Sequence, residues 1–215
     1  MPPRVPVLLA TCAALAAAAP ASAQLVPDAP NDFVAGYAGP HNGDMDVLGA
    51  NVFYTGTQYR FTSLSAGDIR TTTGALFVWG INRGRGTARF GPLAPGVLFD
   101  AVVVLNPDLG TVTVNDLINA TSTPIPVGAL SFSGARLTAT IDASLLPRLA
   151  GGFARSDYTA NLWPRVGAGM TAISDFAPDN SNLAVVTPEP ASLALLVPAA
   201  GVLAGWARRR RRPAA

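Results

Sequence analysis

The chain has 215 residues, 49 % of them hydrophobic and 13 % charged, so it has room for one ordinary domain with a sizeable core. Its formal charge of +2 is misleading, because five of the fifteen basic residues are Arg208 to Arg212 and a sixth is Arg4, whereas residues 24–187 carry nine arginines, twelve aspartates, no lysine and no glutamate. The middle of the chain is mildly acidic, which excludes a nucleic-acid partner: the basic block adjoins an apolar segment and is not on a folded face.

Residues 1–23 open with Arg4, continue through an apolar run from Val5 to Ala19 and end with Ala21 and Ala23 flanking Ser22. This order predicts a signal peptide cut after Ala23, since the run is shorter than the roughly 18 to 20 residues of a spanning helix. The cut would remove Cys12, the only cysteine, leaving the mature chain without a disulfide or a thiolate.

Residues 24–186 are rich in Gly, Pro, Thr, Asn and Asp and carry no apolar stripe of helical period, so they are expected to form one all-β domain. In chain order, strands are predicted near LGANVFY, TQYRFTSL, GALFVWGI, TARF, GVLFDAVVVL, GTVTV, GALSFS, RLTATI, DYTANLW and NLAVV. TQYRFTSL and RLTATI alternate apolar with polar residues, as strands with one wet face do. GALFVWGI and GVLFDAVVVL are nearly continuous apolar runs and should be buried on both faces. Between GALFVWGI and TARF, NRGRG supplies Asn82, Gly84 and Gly86 for a tight, solvated hairpin. NATSTPIPVG reads as a polar, Pro-interrupted loop, and DASLLP as one helical turn started by Asp142 or Ser144. Short strands separated by turn signals predict a single β-sandwich, jelly-roll-like, between the signal peptide and a C-terminal transmembrane helix.

That helix is expected over 191–206, sixteen residues without a charge, which at ~1.5 Å per residue span ~24 Å. Trp206 suits the membrane interface, and Arg208, Arg209, Arg210, Arg211 and Arg212 suit its cytoplasmic side, which puts the body outside. Pro198 and Gly201 weaken the helix, while Pro188 and Pro190 keep the approach around Glu189 extended, as a processing enzyme requires. Residues 187–212, with Pro188-Glu189-Pro190, an apolar segment beginning Ala-Ser-Leu and a closing Arg cluster, resemble the PEP-CTERM sorting signal of Gram-negative bacteria. The resemblance implies export, transient retention in the inner membrane, removal of the tail by an exosortase, and delivery to the cell surface or exopolysaccharide matrix. Around GALFVWGINRGRGTARF, GVLFDAVVVL and ISDFAPDNSN the body is also similar to other exported proteins with this tail, a similarity that transfers no site.

Three kinds of chemistry are open to the body. HNGDMD places Asn42, Asp44 and Asp46 at alternating positions, as a calcium loop begins, but Phe53 stands where an EF-hand has its glutamate. DFAPDNSN offers Asp175, Asp179, Asn180 and Asn182. Both stretches read as turns; no cofactor is expected, although two such loops at one end of a sandwich could share a calcium ion. The single histidine, His41, rules out an imidazole zinc site, and neither a G-x-S-x-G elbow nor a convincing carboxylate pair supports catalysis. Glycan binding is the third option: Trp79, Trp163 and Tyr158, with Tyr37, Tyr54 and Tyr59, are the aromatics that could stack on sugars, although most are expected in the core and Trp163 reads as a core plug before it reads as a platform. The expectation is thus a non-catalytic surface or matrix protein; the alternative is a carbohydrate-binding module for exopolysaccharide, calcium-dependent or not.

Overall fold

A computed structural model describes residues 24–188. The expected signal peptide, residues 1–23, and the tail from Glu189 onward, with helix 191–206 and Arg208 to Arg212, lie outside the described residues.

Strands follow one another as β1 (Val26–Pro27), β2 (Val47–Tyr54), β3 (Gln58–Ser65), β4 (Ala75–Asn82), β5 (Thr87–Ala88), β6 (Leu98–Phe99), β7 (Ala101–Asn106), β8 (Thr111–Asp116), β9 (Thr121–Ile125), β10 (Leu130–Ser133), β11 (Arg136–Asp142), β12 (Thr159–Val166) and β13 (Leu183–Ala184). They form a five-stranded sheet in the order β1-β2-β3-β11-β10, a six-stranded sheet in the order β13-β12-β4-β7-β8-β9, and a small β5-β6 pair. All strand pairings are antiparallel. Among the described residues, helical structure is limited to single 3-10 turns, and no helix is long and apolar enough to cross a membrane.

Sequence alternation explains the faces. In β3, Tyr59 and Phe61 are buried and Arg60 is exposed; in β11, Leu137, Ala139 and Ile141 are buried in register with Ser63, Phe61 and Tyr59. The other sheet answers with Phe77, Trp79 and Ile81 of β4, in register with Leu105, Val103 and Ala101 of β7. These residues belong to one core cluster, in which Phe61 and Trp79 meet from opposite sheets with ring centroids 5.4 Å apart. Each such large side chain contributes about 1.5–3 kcal/mol by leaving water.

β4 is apolar on both faces because a second layer covers it. Residues between β4 and β7, together with Ile173 and Phe176, place Phe90, Ala94, Val97 and Phe99 against Val78 and Trp163. Trp163 fills the centre of this outer cluster, with Phe90 edge-on at 4.9 Å and Phe99 at 5.0 Å.

Four expectations change. Consecutive strands lie side by side in one sheet at β2-β3, β7-β8-β9, β10-β11 and β12-β13, an order of meanders rather than the alternation between sheets of a jelly roll. NATSTPIPVG contains β9, an edge strand that tolerates Pro124 because its outer side needs no ladder donor. The run GVLFDAVVVL is broken at Asp100 into β6 and β7, and β7 leaves Val102 and Val104 half-buried on its outer face. NRGRG does not fold β5 back onto β4; Asn82 Oδ1 accepts from the Gly84 and Gly86 amides at 2.8 and 2.9 Å, so the turn closes on a side chain and β5 pairs with β6. The turn after β11 is as expected, with the Asp142 carboxylate accepting from Ser144 N–H at 2.7 Å.

Candidate functional site

Three segments far apart in sequence are laced together beside the start of β2. Asp28, just beyond β1, donates its amide to Leu48 O at 3.1 Å, and Val34 N–H donates to Ser174 O at 2.8 Å. Ser174 Oγ donates to Met45 O at 2.7 Å, and Val47 N–H donates to Asp175 Oδ2 at 2.8 Å across 128 residues. Asn31 takes a left-handed conformation, φ 61°, one of the few non-glycine types that do so readily, and its amide donates to Asp46 Oδ2 at 3.0 Å.

This lacing gathers five carboxylates. One oxygen each from Asp32, Asp46 and Asp175 lie within 4.8 Å of one another, and so do oxygens of Asp28, Asp32 and Asp179. Asp46 and Asp175 are 2 % and 1 % exposed. Asp28 Oδ2, both oxygens of Asp32 and Asp46 Oδ1 are shut off from solvent without a hydrogen-bond donor. Burial pushes Asp28 up to about 8, helped by the charges of Asp175, Asp32 and Asp179. Burial likewise pushes Asp175 up to about 7, with Asp32 and Asp46 adding to it against the Val47 and Phe176 amides, and raises Asp32. None of the described ion pairs brings an arginine to any of the five.

The two loops singled out in the sequence therefore divide. Asn42 donates to Thr72 Oγ1 at 3.0 Å, and Asp44 accepts from the Thr72 amide and hydroxyl at 2.7 and 2.6 Å, so both fasten a turn. Asn180 and Asn182 hold the chain entering β6: Gly96 N–H donates to Asn180 Oδ1 at 2.7 Å and Leu98 N–H to Asn182 Oδ1 at 3.1 Å. Asp46, Asp175 and Asp179 face the cluster. Asp28 and Asp32 were missed; two aspartates four residues apart in PDAPND, either side of Pro30, were the available signal.

A second polar centre was also missed. Arg83, expected in a solvated turn, is 0 % exposed. Its Nε donates to Asp100 Oδ1 at 2.6 Å, while Nη1 and Nη2 donate to Asp116 Oδ2 and Oδ1 at 2.9 and 2.8 Å. Asp116 reaches this point because β8 alternates Val112, Val114 and Asp116 toward the core. Burial opposes the guanidinium charge, but the hydrogen bonds to Asp116 and Asp100 outweigh it and raise the Arg83 pKa. Those from Arg83 hold Asp116 well below the usual carboxylate range. With its charge met on both sides, this triad is a structural ion-pair network. Asp100 within an apolar run was the signal, since a charge there demands a partner.

Trp79, Tyr158 and Trp163 are 0 %, 0 % and 3 % exposed, and Tyr37 and Tyr59 are buried as well, so none of these presents a ring to a sugar. His41 is exposed, its ring edge-on to Phe33 at 4.5 Å. A shallow depression of about 210 Å³ lined by Ser131, Phe132, Ser133, Arg136 and Thr138 is smaller than the roughly 300–1,000 Å³ of small-molecule pockets. No family model, curated protein or solved structure matches the chain.

Proposed function

We propose that this chain is an exported, non-catalytic protein whose body, a single β-sandwich, is sorted to the cell surface or extracellular matrix by the segment 187–212. On this reading the body crosses the inner membrane, is held there by helix 191–206 with Arg208 to Arg212 on the cytoplasmic side, and is released by an exosortase acting near Pro188-Glu189-Pro190. The observation that carries the proposal is the fixed order of that motif, an uncharged sixteen-residue segment and five arginines. The position of the motif supports it: Val186 exchanges backbone hydrogen bonds with Val52 and Tyr54 at 2.8 Å each, and Pro188 follows two residues later. A cut at the motif would leave these bonds untouched.

The body's role on this reading is structural or adhesive within the exopolysaccharide layer, with no nucleic-acid partner. Of the aromatics named for the carbohydrate-binding alternative, Trp79, Trp163, Tyr158, Tyr37 and Tyr59 are buried and Tyr54 is half-buried. The intact mass of the protein from its host's envelope and culture fluid tests the proposal. A species beginning at Gln24 and ending near Pro188 to Pro190 is expected; one retaining Trp206 and the arginines would make it a resident membrane protein and overturn the sorting role.

A further inference from the structure

We propose that Asp32, Asp46 and Asp175, with Asp28 and Asp179 beside them, form a binding site for a hard divalent cation of the calcium class, which clamps the first segment of the body to its last loop. Convergence of acids alone would not require a ligand. The deciding feature is Asp46: it is 98 % buried, its Oδ2 is used by the Asn31 amide, and its Oδ1 is left without any donor in the group it forms with Asp32 and Asp175. Asp32 is half-buried, and both its oxygens are shut off from solvent with no partner beyond its own amide. Buried carboxylates lacking donors cost several kcal/mol unless a counter-charge is supplied, and no arginine of the described ion pairs supplies one here.

The chemistry of the donors selects the ion. All are carboxylate oxygens, with neither His nor Cys among them, which disfavours zinc and copper. Calcium binds six to eight oxygens at about 2.3–2.6 Å, so oxygens on opposite sides of it stand about 4.6–5.2 Å apart, and each trio fits inside that sphere. Magnesium keeps several waters and takes one or two carboxylates, which suits five acids from three chain segments poorly. A bound ion would tie Asp28 and Asp32 to Asp46 at the head of β2 and to the 175–179 loop. The site stands on geometry alone; only its timing rests on the export reading, since extracellular calcium modules work at about 10⁻⁴ to 10⁻³ M and the clamp would close once the body is outside.

The test uses the full chain purified in mild detergent, unfolded thermally in chelator and in about 1 mM calcium, with sodium at matched ionic strength as the control. For a dissociation constant near ~10⁻⁴ M, calcium should raise Tm by about 3–6 °C and protect residues 28–42 from proteolysis. Asp46→Asn keeps an acceptor for Asn31 N–H and turns an amide toward the other acids; Asp32→Asn removes a charge from both trios. Both should lose the calcium response while remaining at least as stable as the parent in chelator. Asp142→Asn, on the exposed Ser144 turn, should keep the response. Equilibrium dialysis with radioactive calcium reads occupancy directly, independent of any change in folding. Absence of a saturable calcium shift beyond the sodium control, or an undiminished shift in both Asp32→Asn and Asp46→Asn, would overturn the site.

Discussion

Arg83→Met removes a buried cation while keeping an apolar stem of similar reach. Five hydrogen bonds disappear: three to carboxylates, at 2.6 Å to Asp100 and at 2.9 and 2.8 Å to Asp116, and two at 3.4 Å to the Pro147 and Asp100 carbonyls. Two carboxylates remain, 1 % and 6 % exposed, with no cation between them. Asp100 keeps the Arg83 and Arg85 amides as donors, and Asp116 keeps Ile118 N–H, Asn119 N–H and Asn119 Nδ2. Breaking a buried pair from one side costs about 3–5 kcal/mol, and the surviving donors place the expectation near the lower figure. For a domain of this size, about 3 kcal/mol corresponds to a Tm loss of about 6–12 °C. Urea unfolding followed by the fluorescence of buried Trp79 and Trp163 measures it. The pH dependence gives a second readout. In the parent, Asp116 is held below its unfolded value, so its contribution is present above the unfolded pKa of about 3.9 and is lost as pH falls through the lower folded value. In the variant the stranded acids take up protons more readily when folded, so the loss should shrink from pH 7 to pH 5. Adding Asp100→Asn and Asp116→Asn should restore much of the stability at pH 7. A loss under about 0.5 kcal/mol at pH 7, the size of an ordinary surface change, would refute a buried triad and return Arg83 to a solvated turn.

Trp163→Ala should cost about 3–5 kcal/mol in the same assay, because the indole is packed by Phe90, Phe99 and Phe176; a stability change within about 0.5 kcal/mol would make it the exposed platform that the burial argues against. Gly96→Ala should destabilise by about 1–3 kcal/mol, since a Cβ there collides with the backbone oxygen of Asn180; no change in midpoint would mean that the 179–182 loop yields freely. Replacing Pro188, Glu189 and Pro190 together with alanine should leave the tail attached and the protein in the inner-membrane fraction, with unfolding of the body unchanged. Release of a processed species from that variant would count against the sorting motif.

The strands were legible because burial on one face writes itself into alternate residues. TQYRFTSL and RLTATI announce β3 and β11, and even their pairing is sensible, Phe61 falling opposite Ala139 and Tyr59 opposite Ile141. The turn at Asp142 was legible for an equally local reason, a carboxylate two residues from the amide it accepts. NRGRG misled because its glycines mark a turn without saying which strand follows. Asn82 satisfies two amides itself, freeing the chain to leave the sheet and build the outer layer over Trp163. β9 was hidden by Pro124, which bars a central strand and leaves an edge strand possible.

The aspartate cluster illustrates what no local pattern contains. Asp46 and Asp175 each look like turn residues, and so do Asn42, Asp44, Asn180 and Asn182, whose side chains bond away from the cluster, to Thr72 and to the Gly96 and Leu98 amides. What separates them is a contact across 128 positions, Val47 N–H on Asp175, set by how the ends of the body close on each other. The same chain shows what a compensated acid looks like: Asp116 has Arg83 and three further donors, and its pKa falls. Asp28 and Asp175 are driven the opposite way, because burial and neighbouring negative charge act on them with no cation opposing. A body holding nine arginines commits one wholly to two aspartates and none of its described ion pairs to the five that converge. A counter-charge there would come from outside the polypeptide, as a proton on Asp28, Asp32 or Asp175 or as a metal ion. The calcium titration separates these because a proton-held cluster leaves Tm unmoved by calcium, whereas a clamp answers it and falls silent in Asp46→Asn.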